Sequence, residues 1–271
     1  MAVEVGQNLW SGRVRGRSNR AQGSLSLGLA VTYLAVIVLI PLAAVVEQAF
    51  TNGLGTFWSS ISNSQSVEAL LVTLGVGLAT ALIDAVMGTL IAWVLVRDSF
   101  PGKSLLNAII DLPFALPSIV TGLTLLLLYG PSSPVGLDID GTRVLVVIAL
   151  MFVTLPFVVR SVQPVLLELD LQAEEAAASL GASNLTIFRR IILPSLSQAI
   201  ISGAALSFAR AVGEIGSLVL IAGKVLTVPL VVLTDIGDDS QQAASSLSLA
   251  LIAISLLLLV IVRRAGGRVA H

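Results

Sequence analysis

The sequence has no cysteine and a single histidine, His271, which is its last residue. Without cysteine there is no disulfide framework, no thiolate metal site and no cysteine nucleophile. One histidine at the chain end argues against a zinc site and against a serine–histidine triad, because both need a histidine held rigidly by its neighbours. We therefore expect neither a bound metal nor nucleophilic catalysis.

Charge is scarce as well. Of 271 residues only 11% are charged and 56% are hydrophobic, with a mean hydropathy of +0.98. A soluble domain has about a quarter of its residues charged, so this composition excludes a water-soluble fold. The net charge of −1 argues against nucleic acid as a partner. The composition predicts a helical integral membrane protein in contact with lipid.

Six apolar segments follow one another along the chain. They lie near residues 25–46, 67–96, 112–129, 144–163, 197–222 and 243–262. Each is expected to be a helix, because the runs are too long and continuous for the alternating strands of a barrel. The first exceeds the apolar core of a secretory signal, about 7 to 15 residues, and is interpreted as a retained span. We expect a basic tail over 1–24, one transmembrane domain over 25–263 and a C-terminal tail over 264–271.

Orientation follows from Lys and Arg, which stay on the cytoplasmic side in short loops. If the N-terminus is inside, twelve basic residues face the cytoplasm: Arg13, Arg15, Arg17, Arg20, Arg97, Lys103, Arg160, Arg189, Arg190, Arg263, Arg264 and Arg268. Only Arg143 and Lys224 then lie outside. The asymmetry predicts six spans with both termini in the cytoplasm.

The longest of the predicted cytoplasmic loops joins spans four and five. Asp170 is a good N-cap for an alanine-rich helix that Gly181 can end in the left-handed conformation. Ser183 offers a second N-cap for a helix that is predicted to stop near Pro194. Two short helices are thus expected to meet at a glycine elbow. The physics alone leaves two interpretations open: docking on a partner protein, or lying on the lipid surface.

This loop resembles the EAA loop of binding-protein-dependent ABC importer permeases, over residues 164–196. The matching positions are Glu175, Ala176, Ala177, Gly181, Ile191, Leu193 and Pro194. The resemblance implies that these residues couple the chain to ATP hydrolysis, through helices that dock into a groove on an ATP-binding subunit. It also implies an all-α, type I ABC importer permease fold.

The resemblance covers most of the chain and extends to one family. The stretches Asp111–Pro117, Pro156–Pro164 and Ser207–Gly216 are similar to those of sulfate and thiosulfate permeases of the cysteine-synthesis type, T subunit. Molybdate and tungstate permeases resemble the span-five stretch nearly as well and are the alternative. The family implies a multi-pass protein of the bacterial plasma membrane, paired with a second homologous permease, two ATP-binding subunits and an extracytoplasmic sulfate-binding protein. ATP and its hydrolysis would belong to the partner, and this chain would bind no cofactor and catalyse no reaction.

Three charged residues lie away from the ends of the predicted spans. Arg210 and Glu214 are four residues apart and can pair on one helix face, which lowers the cost of burying either charge. They either line the anion path or form a structural ion pair between helices. Asp84 is a weaker candidate for the path, because a carboxylate repels an oxyanion, and an interhelical hydrogen bond is favoured for it.

Pro113 and Pro117 predict a break at the start of span three, beside Asp111. Irregular backbone at membrane depth is tolerated where it is buried or lines a cavity. The break is interpreted as a hinge for alternating access, and the simple start of a helix is the other interpretation.

Two functions of other classes remain as alternatives. A secondary transporter driven by an ion gradient would have inverted repeats with broken helices in matching halves, and no such repeat is evident. A membrane-embedded enzyme would need a set of polar residues at one depth, which Asp84, Arg210 and Glu214 do not form.

Overall fold

The computed structural model describes residues 19–267, and within this range the chain is largely helical and contains no strand. The predicted basic tail, 1–24, and the predicted C-terminal tail, 264–271, each lie partly outside the described residues. Arg13, Arg15, Arg17 and Arg268 are among the residues outside this range.

Thirteen α-helices occur among the described residues. They are α1 (Asn19–Leu34), α2 (Ile40–Phe50), α3 (Gly53–Ser62), α4 (Ser64–Arg97), α5 (Lys103–Ala115), α6 (Ser118–Tyr129), α7 (Arg143–Glu168), α8 (Leu171–Ser179), α9 (Asn184–Ile187), α10 (Leu193–Val212), α11 (Leu218–Ile221), α12 (Val228–Gly237) and α13 (Gln241–Gly267). Two π-helical segments, Ala35–Leu39 and Phe188–Ile192, join α1 to α2 and α9 to α10. The chain divides into two compact units, Met1–Glu47 and Gln48–His271.

Five helical runs among the described residues are long and apolar enough to cross a membrane, and one bent pair makes a sixth. The runs are Leu27–Phe50, Ser64–Arg97, Arg143–Glu168, Asn184–Val212 and Gln241–Val262, and the bent pair is Lys103–Ala115 with Ser118–Tyr129. The prediction of an all-α membrane fold with about six spans is confirmed. The predicted edges of spans three and five are wrong.

Span three is a broken span. Helices α5 and α6 meet at 113°, whereas the sequence predicts one segment over 112–129. Leu116, between them, has extended backbone (ψ 134°), because the ring of Pro117 excludes the helical conformation for the residue before it. The predicted break is therefore present, but α5 precedes it and Pro113 lies inside α5.

Span five begins earlier and ends earlier than the predicted 197–222. The helical run starts at Asn184 and ends at Val212. Beyond Gly213 the chain turns, and the Glu214 carboxylate accepts a hydrogen bond from the main-chain N–H of Ser217 at 2.9 Å. The apolar residues that follow form the separate short helix α11. The sequence offered a signal for this turn, because residues 213–217 are Gly-Glu-Ile-Gly-Ser and two glycines so close together are typical of a break in a helix.

Helices α4, α7 and α10 form the centre of the second unit. They pack closely because glycines face the same valine: a Cβ at Gly88 of α4 or at Gly203 of α10 would lie 2.8 Å from an atom of Val158 in α7. Small residues at helix crossings are the usual means of close packing in membranes. The long α4 and α7 begin at side-chain caps, since Asn63 accepts from Ser66 N–H and Thr142 from Leu145 N–H.

Candidate functional site

The first separate helix of the EAA loop is α8, which is capped at both ends. The Asp170 carboxylate accepts from the Gln172 N–H at 2.9 Å. At the other end Gly181 has φ +84°, its N–H donates to the Ala178 oxygen, and the Ala182 N–H donates to the Ala177 oxygen. This pair of bonds is the Schellman arrangement, which needs the left-handed residue that glycine supplies. The predicted glycine elbow is present.

The second half of the loop differs from its prediction. Ser183 caps α9 as expected, with its hydroxyl accepting from the Thr186 N–H at 3.3 Å. However, the helix does not stop near Pro194. It continues through the π-helical segment into α10, and Pro194 lies in the first turn of α10. The wider π turn, closed by a bond from Leu193 N–H to Phe188 O, accommodates a proline that has no N–H of its own.

Helix α8 has an outer and an inner face. Glu175 and Ala176 are exposed, whereas Ala177 packs partly buried against the apolar cluster around Val162 and Ile192. Leu180, next to the elbow, is 89% exposed. Glu175, Ala176 and Leu180 are thus the exposed residues on the outer face of α8.

The neighbouring carboxylate, Glu174, faces inward. It forms an ion pair with Arg97, the last residue of α4, and both side chains are mostly buried. The Arg97 guanidinium also lies over the ring of Trp93, 5.4 Å from its centroid. Sequence reasoning missed this pair because 77 residues separate its members. The available signal was two opposite charges on the predicted cytoplasmic side, Arg97 directly after span two and Glu174 in the loop after span four.

The three later motif positions follow the elbow. Ile191 is partly buried, and Leu193 and Pro194 are exposed at the start of α10. Ile191 packs against the same apolar cluster as Ala177. The structure thus joins the motif positions on α8 to those before α10 through one shared core.

Arg210 and Glu214 pair as the sequence predicts, with 2.5 Å between nitrogen and oxygen. The prediction that the two residues share one helix face is wrong, because α10 ends at Val212 and Glu214 lies beyond its end. Glu214 is 1% exposed and also accepts hydrogen bonds from Ser217, whereas Arg210 is 38% exposed. The guanidinium is therefore the accessible member of the pair.

Asp84 is fully buried between three helices. One carboxylate oxygen accepts hydrogen bonds from Thr154 of α7 and Ser207 of α10, both at 2.6 Å. The interhelical hydrogen bond favoured from sequence is thus present. Within this chain Asp84 ties α4 to both neighbours. Its role in a translocation path stays a prediction.

At the break in span three, Pro113 and Pro117 lie beside a polar cluster that sequence reasoning missed. The Arg160 guanidinium of α7 binds both carboxylate oxygens of Asp111, at 2.8 and 2.5 Å. It also donates to Asn107 and Gln163. A two-pronged arginine–carboxylate pair fixes orientation as well as distance, so it holds α5 against α7 next to the bend. Among the described residues no group of three His, Asp or Glu could hold a metal.

Comparison with known proteins agrees with this architecture. The family model described as "Binding-protein-dependent transport system inner membrane component" matches residues 85–270. The sulfate transport system permease protein CysT of Synechocystis sp. is 42% identical over 252 residues, 88% of each chain. The protein of the same name from Salmonella typhimurium is 40% identical over 247 residues, 87% of this chain and 89% of that one.

Solved structures share the fold. A bacterial ABC transporter involved in the import of the acidic polysaccharide alginate has a TM-score of 0.76 at 13% identity, covering 93% of this chain and 97% of that one. The inward facing MetNI methionine ABC transporter has a TM-score of 0.57 at 19% identity, covering 75% and 94%. The predicted type I ABC importer permease fold is confirmed. The chain belongs to the binding-protein-dependent transport system inner membrane components, a transport family and not a catalytic one, and groups there with the sulfate transport system permease proteins.

Proposed function

We propose that this chain is the permease subunit of an ABC importer for sulfate and thiosulfate. The observation that carries the proposal is the capped EAA loop, with the outer face of α8 exposed, in a chain about 40% identical to sulfate permeases. The loop supports the coupling mechanism and the relatives support the substrate. Molybdate or tungstate is the alternative substrate, and a secondary anion transporter is the less favoured alternative mechanism.

The proposed assembly has two permeases and two ATP-binding subunits. This chain pairs with a second, homologous permease, and a soluble binding protein delivers the anion from outside the cell. The Lys and Arg distribution supports an orientation with both termini and the EAA loop in the cytoplasm of a bacterium. In this arrangement ATP is bound and hydrolysed by the partner subunits, and this chain holds no cofactor.

Coupling is proposed to run through the outer face of α8. When the ATP-binding subunits close, they displace the face that carries Glu175, Ala176 and Leu180. The Schellman turn at Gly181 fixes the angle between α8 and the start of α9. A displacement of α8 is therefore passed on to α9 and is not lost in a flexible connection. The bend at Leu116 and Pro117 then serves as the hinge between outward and inward access.

Arg210 is proposed as the counter-charge on the anion path. Sulfate needs a positive group in a low-dielectric path, but an isolated arginine would hold the dianion too tightly for rapid release. Glu214 offsets much of the arginine's charge while leaving part of the guanidinium accessible. The pair thus offers weak, transient attraction, which conduction through a membrane requires.

Sulfate and molybdate uptake by cells that lack this chain tests the proposal. We expect sulfate uptake to fail and to return when the gene is restored, while molybdate uptake is unchanged. Loss of molybdate uptake alone would overturn the substrate but leave the EAA mechanism intact. Copurification of the chain with an ATPase separates an ABC importer from a secondary transporter, and ATP-independent uptake would contradict the ABC assignment.

A further inference from the structure

The EAA loop contains two adjacent glutamates that point in opposite directions. Glu175 is exposed and available to a partner subunit, while Glu174 is turned towards α4. Its carboxylate binds the guanidinium of Arg97, and the two side chains are 20% and 18% exposed. A pair this sheltered from water is not the usual surface ion pair, which contributes little.

The same arginine is connected to the second half of the loop. Arg97 lies over the Trp93 ring, and Trp93 meets Phe188 edge to face, with ring centroids 5.8 Å apart. Phe188 begins the π-helical segment that leads into α10. The end of α4 is therefore held by α8 through a charge and by the segment before α10 through aromatic rings.

Helix α4 is well placed to pass a displacement onward. Nine residues before Trp93, Asp84 bonds to α7 and α10, and Gly88 lets α4 contact Val158 closely. Packed helices of this kind move as bodies, because a close-packed interface does not deform continuously. A push on α8 at Glu174 would accordingly reach the helix that carries Arg210.

We infer that Arg97 is a positioning residue that holds α8 against α4 through Glu174. Through this ion pair the movement of the ATP-binding subunits is transmitted to the membrane-spanning helices. The inference rests on the proposed function and assigns a role in coupling to Glu174, the residue directly before the motif. In this proposal Glu175 faces the ATP-binding subunits, whereas Glu174 and Arg97 connect α8 to the membrane-spanning helix α4.

The test uses the whole complex, reconstituted in liposomes, and measures ATP hydrolysed per sulfate transported. The variants are Arg97→Gln, Glu174→Gln and the charge exchange Arg97→Glu with Glu174→Arg. The matched control is Lys103→Gln, a nearby cation whose ammonium donates to the main-chain oxygen of Asp98. We expect each single change to raise the ATP cost per sulfate at least about fivefold, as for a mostly buried pair that loses one member.

The charge exchange is expected to restore much of the coupling, and the control should match the wild type. If the pair only stabilises the fold, transport and hydrolysis will fall together with complex yield and their ratio will stay constant, which would overturn the inference. The inference would also be overturned if the charge exchange did not lower the ATP hydrolysed per sulfate below that of the single variants. A wild-type complex that moves sulfate without ATP would instead overturn the proposed function itself.

Spin labels supply a readout independent of activity. The chain has no native cysteine, so Ala178→Cys, an exposed position of α8 outside the face of Glu175, Ala176 and Leu180, and the exposed Leu90→Cys of α4 can be labelled specifically. In the wild-type background the distance between the labels should be narrowly distributed and unaffected by ATP, because α8 and α4 move together. In Arg97→Gln it should broaden and change with nucleotide. A wild-type distance that shifts with ATP would contradict the inference.

Discussion

Gly181 shows how one residue sets the geometry of the EAA loop. Its φ of +84° is a conformation that L side chains rarely adopt, while a Cβ at this position would meet no atom within 4 Å. A substitution therefore acts through the backbone and not through a clash. The cost for a β-branched residue is about 1 to 2 kcal/mol, and any lost docking adds to it.

We predict that Gly181→Val disrupts coupling while the permease still inserts in the membrane. Sulfate transport should fall by about five- to thirtyfold, the factor that corresponds to 1 to 2 kcal/mol. Gly181→Asn is the matched control, because asparagine tolerates the left-handed conformation. Uptake assays with membrane abundance measured in parallel provide the test. Unchanged transport in Gly181→Val would refute the elbow model.

The Arg210–Glu214 pair allows its two interpretations to be separated by a double variant. Arg210→Gln leaves the buried Glu214 carboxylate without its cation, which should destabilise the protein by about 2 kcal/mol or more. Glu214→Gln in addition removes that buried charge and should restore abundance. If Arg210 serves the anion path, the double variant will be abundant but will not transport sulfate. Recovery of transport together with abundance would show a structural pair instead.

At the scale of helices, α4, α7 and α10 are held together by a polar contact as well as by apolar packing. Asp84 accepts two short hydrogen bonds at the centre of this group. Asp84→Asn keeps an oxygen acceptor for Thr154 and Ser207, whereas Asp84→Leu removes the acceptor of Ser207 and leaves Thr154 with only the main-chain oxygen of Leu150. We expect Asp84→Leu to lose about 2 kcal/mol or more and Asp84→Asn to lose much less. Thermal unfolding of the purified protein measures both, and equal losses would contradict this account.

The bend between α5 and α6 is predicted to move during the transport cycle. Ala115, the last residue of α5, is exposed, and a cysteine there would be the only one in the chain. Its rate of labelling should differ between nucleotide-free and ATP-bound complexes, because a hinge changes the exposure of its neighbours. Asp111→Asn removes the ion pair with Arg160 and leaves that arginine only its hydrogen bonds to Asn107 on α5, so it should reduce the difference. An identical labelling rate in the nucleotide-free and ATP-bound complexes would contradict the hinge and favour the simple start of a helix.

The helices and the EAA loop could be predicted from sequence, because apolar runs, caps and the glycine are local signals. Span edges were harder to predict: the end of α10 is set by a turn in which the Ser217 N–H donates to the Glu214 carboxylate, and the two glycines at 213 and 216 were the only local sign of it. The ion-pair partner of Arg97 could not be predicted from sequence, since any acidic residue at the same depth in the membrane could have paired with it. The pairs of Arg97 and Arg160 depend on tertiary contacts that no local pattern records.

At the scale of the whole molecule, the features proposed for coupling and transport are spread over the fold. The exposed face of α8, the bend between α5 and α6 and the accessible Arg210 of α10 occur on different elements, which α4 and α7 join. Much of the apolar surface of the described residues is exposed, for example Leu71 at 67% and Leu82 at 60%, as expected of a protein in contact with lipid. The family prediction is confirmed, whereas the assembly and the substrate stay proposals.

The most direct test of the account is sulfate uptake by liposomes that contain the purified complex of this chain with its second permease, its ATP-binding subunits and the sulfate-binding protein. Uptake should require both ATP and the binding protein, and should not respond to an ion gradient alone. Sulfate uptake driven by an ion gradient in the absence of ATP would contradict the account.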